Sequence, residues 1–257
     1  MGMIMAIETD NRGGGEREAV DYFYELPEGC IAHIVSLTSP RDACRLCLVS
    51  SVFRSAAESD AVWERFLPPE YPSIVSPHSR PCPSKKHLFF SLCDTPLLID
   101  QGTMSFSLEK VSGKKCYMIS ARALFIVWGD SPSYWRWIPL PEARFEDVAE
   151  LIMVCWFEIR GKIDIQMLSP STLYTVNLVF KSNIDAYGFE HQPVEATIGL
   201  VGGETTTRSV YLDSERGHRM SYASDIPSAL LIEHDHGGCD AAMLRAHEPL
   251  SFSSLFL

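Results

Sequence analysis

The chain has 257 residues, 46% hydrophobic and 21% charged, with a formal net charge of −11. That is globular composition, with room for one domain of ordinary size and a small module. The acidic balance excludes a phosphate-backbone partner, which needs a basic face, and disfavours an anionic membrane surface.

No apolar run reaches the roughly 18–20 residues of a membrane span. The expected partners therefore include no nucleic acid and no membrane, and the expected location is cytoplasmic and nuclear. Residues 1–24, with Gly13-Gly14-Gly15 among Glu16, Glu18 and Asp21, read as a disordered acidic leader. Met1–Ile7 is apolar but lacks the basic start and small-residue cleavage site of a signal peptide.

Leu26 to Leu67 reads as three short helices. Pro27 suits a first helical position, and Cys30, Ile31, Ile34 and Val35 then recur at helical spacing. Ser39-Pro40-Arg41-Asp42 restarts a helix with a serine cap, proline at the first turn and a carboxylate three residues on. Ala43, Leu46, Cys47, Phe53 and Ala57 keep its apolar face. Asp60 is expected to cap a third turn carrying Val62, Trp63 and Phe66, stopped by Pro68-Pro69. Cys44-x-x-Cys47 has neither a preceding strand nor a second pair, so it reads as helix face and not as a redox or zinc motif. About forty residues in three helices cannot build much core alone, so something else covers part of their surface.

Leu26-Pro27, the Ile31…Ile34-Val35 face, Ser39 to Asp42, Cys47-Leu48-Val49-Ser50, Phe53 and Trp63 together resemble an F-box, spanning 25–67. The resemblance implies docking on the Skp-type adaptor of a cullin–RING ubiquitin ligase. The residues it implies for that contact are Leu26, Pro27, Ile31, Ile34, Val35, Pro40, Leu48, Val49, Phe53 and Trp63.

Residues 68–84 form a proline-rich connector, read either as an extended spacer or as a loop lying on the next domain. A short helix follows over Ser84–Asp94, and from Phe106 the period changes from 3.6 to 2. Strands are expected at Cys116–Ile119, Leu124–Trp128, Leu151–Arg160 with a turn at Gly161, and Tyr174–Lys181. Val194–Leu200 and Thr205–Leu212 read as a hairpin about Gly202-Gly203. Short strands at this spacing imply an antiparallel sandwich or barrel.

Between Trp128 and Trp137 lie three tryptophans and Tyr134, interrupted by the turn sequence Gly129–Ser133. Such a run can simply fill a core. A surface loop beside Asp130 and Arg136 would instead suit a sugar, whose C–H face stacks on a ring while polar groups take the hydroxyls. Ile119-Ser120-Ala121-Arg122, Ile126–Trp128, Tyr134–Trp137, Val148–Leu151, Cys155–Ile163, Leu168–Lys181, Tyr187-Gly188 and Pro193–Glu195 resemble the phloem-protein-2, or Nictaba-type, plant lectin domain.

The resemblance implies a jelly-roll sandwich over 85–213 and a ligand built from N-acetylglucosamine. It assigns the sugar contact to Trp128 and Trp135, then to Tyr134, Trp137 and Glu158. The expected fold is thus α+β multidomain, a small all-α F-box followed by an antiparallel β-sandwich. Residues 214–257 lack the family's closing segments and read as an atypical tail compatible with disorder, as from a shifted frame or an alternative transcript. His234-Asp235-His236 with Cys239 and Asp240 lies in that tail, outside any framed loop, and is not read as a metal site.

No nucleophile elbow, phosphate loop, zincin helix or dinucleotide fingerprint is present, so no catalytic residue and no cofactor is expected. The function expected is a non-catalytic substrate-recognition subunit of an SCF-type ligase, with a glycan or glycoprotein target. The alternative is a lectin-like or truncated module that binds the adaptor without recruiting a glycosylated target.

Overall fold

Serine caps divide the first stretch into four helices where three were expected. α1 (Glu28–Ser36) begins one residue after Pro27. Ahead of α2 (Pro40–Leu46), the Ser39 Oγ accepts the Asp42 N–H at 3.1 Å and donates to the Asp42 carboxylate at 2.8 Å, a variant of the capping box. The helix expected to run on to Ala57 stops at Leu46. Cys47–Val49 turn, and Ser50 accepts the Phe53 N–H to open α3 (Ser51–Glu58). Ser59, not Asp60, caps α4 (Asp60–Phe66). Asp60 instead accepts the Lys85 N–H at 2.7 Å.

The structure, a computed structural model, describes residues 26–75, 82–189, 193–201, 203–210, 212, 230–232, 239–245 and 253–256, the last three segments by backbone alone. The expected leader, residues 76–81 of the connector and the His234–His236 cluster lie outside them.

The cover that the four helices need comes from the chain just beyond them. α5 (Tyr71–Ile74), α6 (Lys85–Asp94) and the sheet β1 (Leu97–Ile99), β2 (Met104–Leu108) and β3 (Lys115–Ile119) follow. Phe89, Leu92, Phe106 and Leu108 join Ile31, Val35, Val62 and Trp63 in one buried cluster. The Trp63 ring meets Phe66, Phe89 and Phe90 at centroid distances of 5.6, 5.3 and 5.3 Å, and its indole N–H donates to the Ala57 carbonyl at 2.6 Å. Residues 85–108, grouped with the sandwich by sequence, therefore pack with the helices. Tyr71, Ile74 and Val75 lie on the same cluster, so the described part of the connector is a folded-back loop and not a free spacer.

Eleven further strands follow among the described residues: β4 (Phe125–Ile126), β5 (Trp135–Ile138), β6 (Val148–Leu151), β7 (Glu158–Asp164), β8 (Tyr174–Val176), β9 (Lys181–Tyr187), β10 (Val194–Leu200), β11 (Thr205–Val210), β12 (Leu230–Ile232), β13 (Cys239–Arg245) and β14 (Ser253–Phe256). They form a five-stranded sheet in the order β11-β10-β13-β7-β4, a four-stranded sheet β5-β6-β14-β9, and the pair β12-β8, all antiparallel. The class is α+β. Ile126, Ile159 and Val194 of the five-stranded sheet share a buried cluster with Trp135, Ala149 and Leu151 of the four-stranded one, so the core lies between the two. The described strands do not close it into a complete sandwich.

Three expected strands are interrupted. The one at Leu124–Trp128 ends at Ile126, because the Gly129 N–H turns back to the Ile126 carbonyl at 2.9 Å. The one at Leu151–Arg160 breaks after Leu151, where the Ile152 and Met153 N–H groups both turn to the Tyr134 carbonyl. Gly161 is not a turn but lies inside β7, where a Cβ would stand 3.0 Å from Leu124 Cδ2. Tyr174–Lys181 divides between β8 and β9. The stretch from 214, read as unpatterned, supplies β12, β13 and β14, with β13 inserted between β10 and β7. No helix among the described residues is long and apolar enough to cross a membrane.

Hydrogen bonds from β2 and β3 tie the helical module to the chain beyond it. The Lys115 N–H donates to Ser169 Oγ at 3.0 Å, the Tyr117 hydroxyl to the Met167 carbonyl at 3.0 Å, and Arg144 to Ser105 Oγ at 3.1 Å. The Lys115 ammonium, almost fully buried, pairs with Glu70 at 2.7 Å.

Candidate functional sites

Two surfaces carry the residues singled out by sequence. On the helical module, the ten candidates divide by burial. Ile31, Val35, Pro40 and Trp63 are buried, and Phe53 is half-buried. They shape the module from inside. Leu26, Pro27 and Ile34 are exposed, as are Leu48 at 82% and Val49 at 67% of their full surface. Two adjacent aliphatic side chains that far out of the core, at a tight turn between helices, leave an apolar projection that none of the described residues covers.

The second surface is the aromatic segment. It is built on two successive turns: the Ser131 N–H donates to the Trp128 carbonyl, and the Tyr134 and Trp135 N–H groups to the Ser131 carbonyl, at 2.8, 3.0 and 3.0 Å. Trp128 takes a φ of +54°, a left-handed conformation that costs a bulky residue energy. It is 42% exposed, and its ring stacks on Tyr134 with centroids 5.1 Å apart. A cleft of about 250 Å³ opens beside it, lined by Gly129, Asp130, Pro132, Trp135, Arg136 and Trp137.

The other candidates are committed inward. Trp135 is 1% exposed and its indole N–H donates to the Val127 carbonyl at 3.0 Å. Trp137 is half-buried, donates to the Gly129 carbonyl at 3.1 Å, and carries the Arg122 guanidinium 3.8 Å above its ring centroid. Arg122 is held there by Asp147, with Nη2 2.6 Å from Oδ2. Glu158 is buried; its carboxylate accepts the Trp156 indole N–H at 3.1 Å and the Arg160 Nε–H at 2.5 Å, while its carbonyl takes the Val127 N–H at the foot of the loop.

Trp128, Asp130 and Arg136 thus carry the exposed aromatic and charged surface of this segment, with the partly buried Tyr134 stacked on Trp128, while Trp135 and Trp137 reach the cleft only as part of its wall. The Arg136 guanidinium, hydrogen-bonded to Glu150 at 2.5 Å, is held protonated even more firmly than usual.

Sequence reading missed two residues here, Arg122 on Trp137 and Arg54, whose Nε–H reaches the Cys47 carbonyl at 3.1 Å. Neither spacing has a local pattern that announces it. Among the described residues, no group of three or more histidine, cysteine, aspartate or glutamate side chains is placed to hold a metal.

Comparison with known families gives two matches, phloem protein 2 over residues 114–246 and F-box-like over 23–68. The first runs well into the stretch read as an atypical tail. Three similar proteins come from Arabidopsis thaliana. F-box protein PP2-B1 is 53% identical over 203 residues, 79% of this chain and 60% of that one. Putative F-box protein PP2-B2 is 48% identical over 210 residues, 81% and 67% of the two chains. F-box protein PP2-B10 is 50% identical over 199 residues, 77% and 73%. The matched part of the chain spans 61% of the length of a further Arabidopsis F-box protein, to which it is 53% identical.

Proposed function

The chain belongs to the F-box proteins that carry a phloem protein 2 domain, and from that premise we propose that it is the target-recognition subunit of an SCF-type ubiquitin ligase. The helical module docks on the Skp-type adaptor through Leu26, Pro27, Ile34, Leu48 and Val49. The partner enzyme supplies the chemistry, so this chain catalyses nothing itself. The observation that carries the reading is the projection of Leu48 and Val49 at 82% and 67% exposure from a well-packed helical core. Adjacent exposed aliphatic side chains on a packed module are the kind of surface that protein partners cover.

The target is read by the aromatic segment. A glycan containing N-acetylglucosamine fits the exposed Trp128–Tyr134 stack, with Asp130 and Arg136 at the cleft to take hydroxyl and acetamido groups. Inward commitment of Trp135 and of one face of Trp137 favours a second reading, a module that binds the adaptor without a glycosylated target.

Co-purification with the adaptor, beside a control F-box protein, tests the docking; failure where the control succeeds overturns it. Titration with chito-oligosaccharides then separates the two target readings. Saturable binding lost in Trp128→Ala supports glycan recognition, and a flat titration of the folded chain supports the second reading.

A further inference from the structure

The turn that presents Leu48 and Val49 ends α2, and a helix end leaves carbonyls without partners inside the helix. The turn's own amides make short-range bonds only: Leu48 N–H to the Arg45 carbonyl and Val49 N–H to the Leu46 carbonyl, both at 3.0 Å. Bonds of this kind fray easily at a helix terminus. The Cys47 carbonyl does not look to water alone. Arg54, one turn into α3, reaches back seven residues and donates its Nε–H to that oxygen at 3.1 Å. Arg54 makes no ion pair among the described residues, so this contact is the one fixed use of its charge. A cation at the carboxyl end of α2 also meets the negative end of the helix dipole.

We infer that Arg54 is a positioning residue for adaptor docking. Its guanidinium ties the end of α2 to α3 and so fixes the turn in the geometry that holds Leu48 and Val49 outward. This inference rests on the docking reading above and adds a residue that has no need to touch the adaptor. Without the tie, the two side chains sample many orientations, and the cost of ordering them falls on the binding step.

The test is a double-mutant cycle in the full chain, with purified Skp-type adaptor in solution and rate constants read by biolayer interferometry. Arg54→Ala weakens binding about tenfold, mainly through faster dissociation. Arg54→Lys, which keeps a single charged donor able to meet one carbonyl, stays within about threefold of the native chain. In a Leu48→Ala, Val49→Ala background, Arg54→Ala changes affinity less than about twofold, because the groups it positions are gone.

Amide hydrogen exchange supplies the reading that a general loss of fold would not give: in Arg54→Ala it accelerates at Leu48 and Val49 while Trp63 stays protected. Native affinity in Arg54→Ala overturns the inference. So does an equal loss in both backgrounds, which would mean that Arg54 contacts the adaptor directly. If the native chain does not bind, or the Leu48, Val49 double variant binds as the native chain does, the docking reading falls and takes this inference with it.

Discussion

Replacing Trp135 and Trp128 by alanine, separately, tests whether burial has been read correctly in the aromatic segment. Trp135 sits in the core between the two larger sheets at 1% exposure and donates its indole N–H to Val127. Truncating a buried tryptophan costs about 3–5 kcal/mol, and the abandoned carbonyl adds about 1 kcal/mol. Against a total stability of about 5–15 kcal/mol, Trp135→Ala should remove a large share. With a urea slope of about 2 kcal/mol per molar, the midpoint should fall by about 2–3 M.

Trp128 is 42% exposed and loses mainly its stack on Tyr134, about 0.5–1.5 kcal/mol, so its midpoint should move by well under 1 M. The assay is urea unfolding of the full chain followed by far-ultraviolet circular dichroism, whose backbone signal survives the loss of either tryptophan. A Trp135→Ala midpoint within 0.5 M of native, taken as about 1 kcal/mol by the same slope, would refute the reasoning. So would equal losses in the two variants.

Three other expectations follow from named contacts. Burial would raise the Glu70 carboxyl, but the hydrogen bond from Lys115 and Glu70's own backbone amide outweigh it and hold the carboxyl below its ordinary range. A depressed folded value gives stability that is present above the ordinary carboxylate pKa and lost as the pH falls through the folded one, so the melting temperature should drop between about pH 5 and pH 3 more in the native chain than in Glu70→Gln. Burial, with Asp94 adding to it, pushes the Cys93 thiol up to about 11; at pH 8 about one molecule in a thousand is then thiolate, and iodoacetamide with mass-spectrometric readout should label the exposed Cys30, Cys82 and Cys155 ahead of Cys93. A Cβ at Gly199 would lie 2.3 Å from the Glu204 carbonyl oxygen and 2.8 Å from Thr205 Cα, so Gly199→Ala should cost about 2 kcal/mol or more by urea unfolding. Gly161→Ala presses only on the end of Leu124 and should cost less than about 1 kcal/mol.

Where the chemistry was local, sequence reading worked. Ser39-Pro40-Arg41-Asp42 fixes its own helix start, since cap, proline and carboxylate lie within four residues. Val194–Leu200 and Thr205–Val210 pair as a hairpin, two β-rich runs separated by a short glycine-containing stretch. The misses have distant causes. No turn signal interrupts Leu151–Arg160, but the amides of Ile152 and Met153 have a better acceptor in the Tyr134 carbonyl, eighteen and nineteen residues back in sequence. Cys239–Arg245 has no amphipathic pattern, and its partners Glu158–Asp164 are about eighty residues away. Which tryptophan faces outward turned on a left-handed Trp128, a conformation its residue type argues against.

The count of apolar residues in 26–67 required a cover without naming it, and the cover has a consequence for how the two sites relate. α6 and β2 complete the helical core through Phe89, Leu92, Phe106 and Leu108, and β3 in the same sheet holds Met167 and Ser169 through Tyr117 and Lys115. A chain joined by a proline-rich spacer would let target and adaptor vary their separation. Here the described part of that connector is folded onto the helical core, and Glu70 within it is paired to Lys115 on β3. Lys115 is nearly buried, so removing Glu70 would leave a desolvated cation with its partner gone. The junction is therefore resisted by the same burial that stabilises the helical module. A change that loosens one of them loosens the other, and losses of docking and of target binding need to be measured on the same folded molecule before either is assigned to a contact residue.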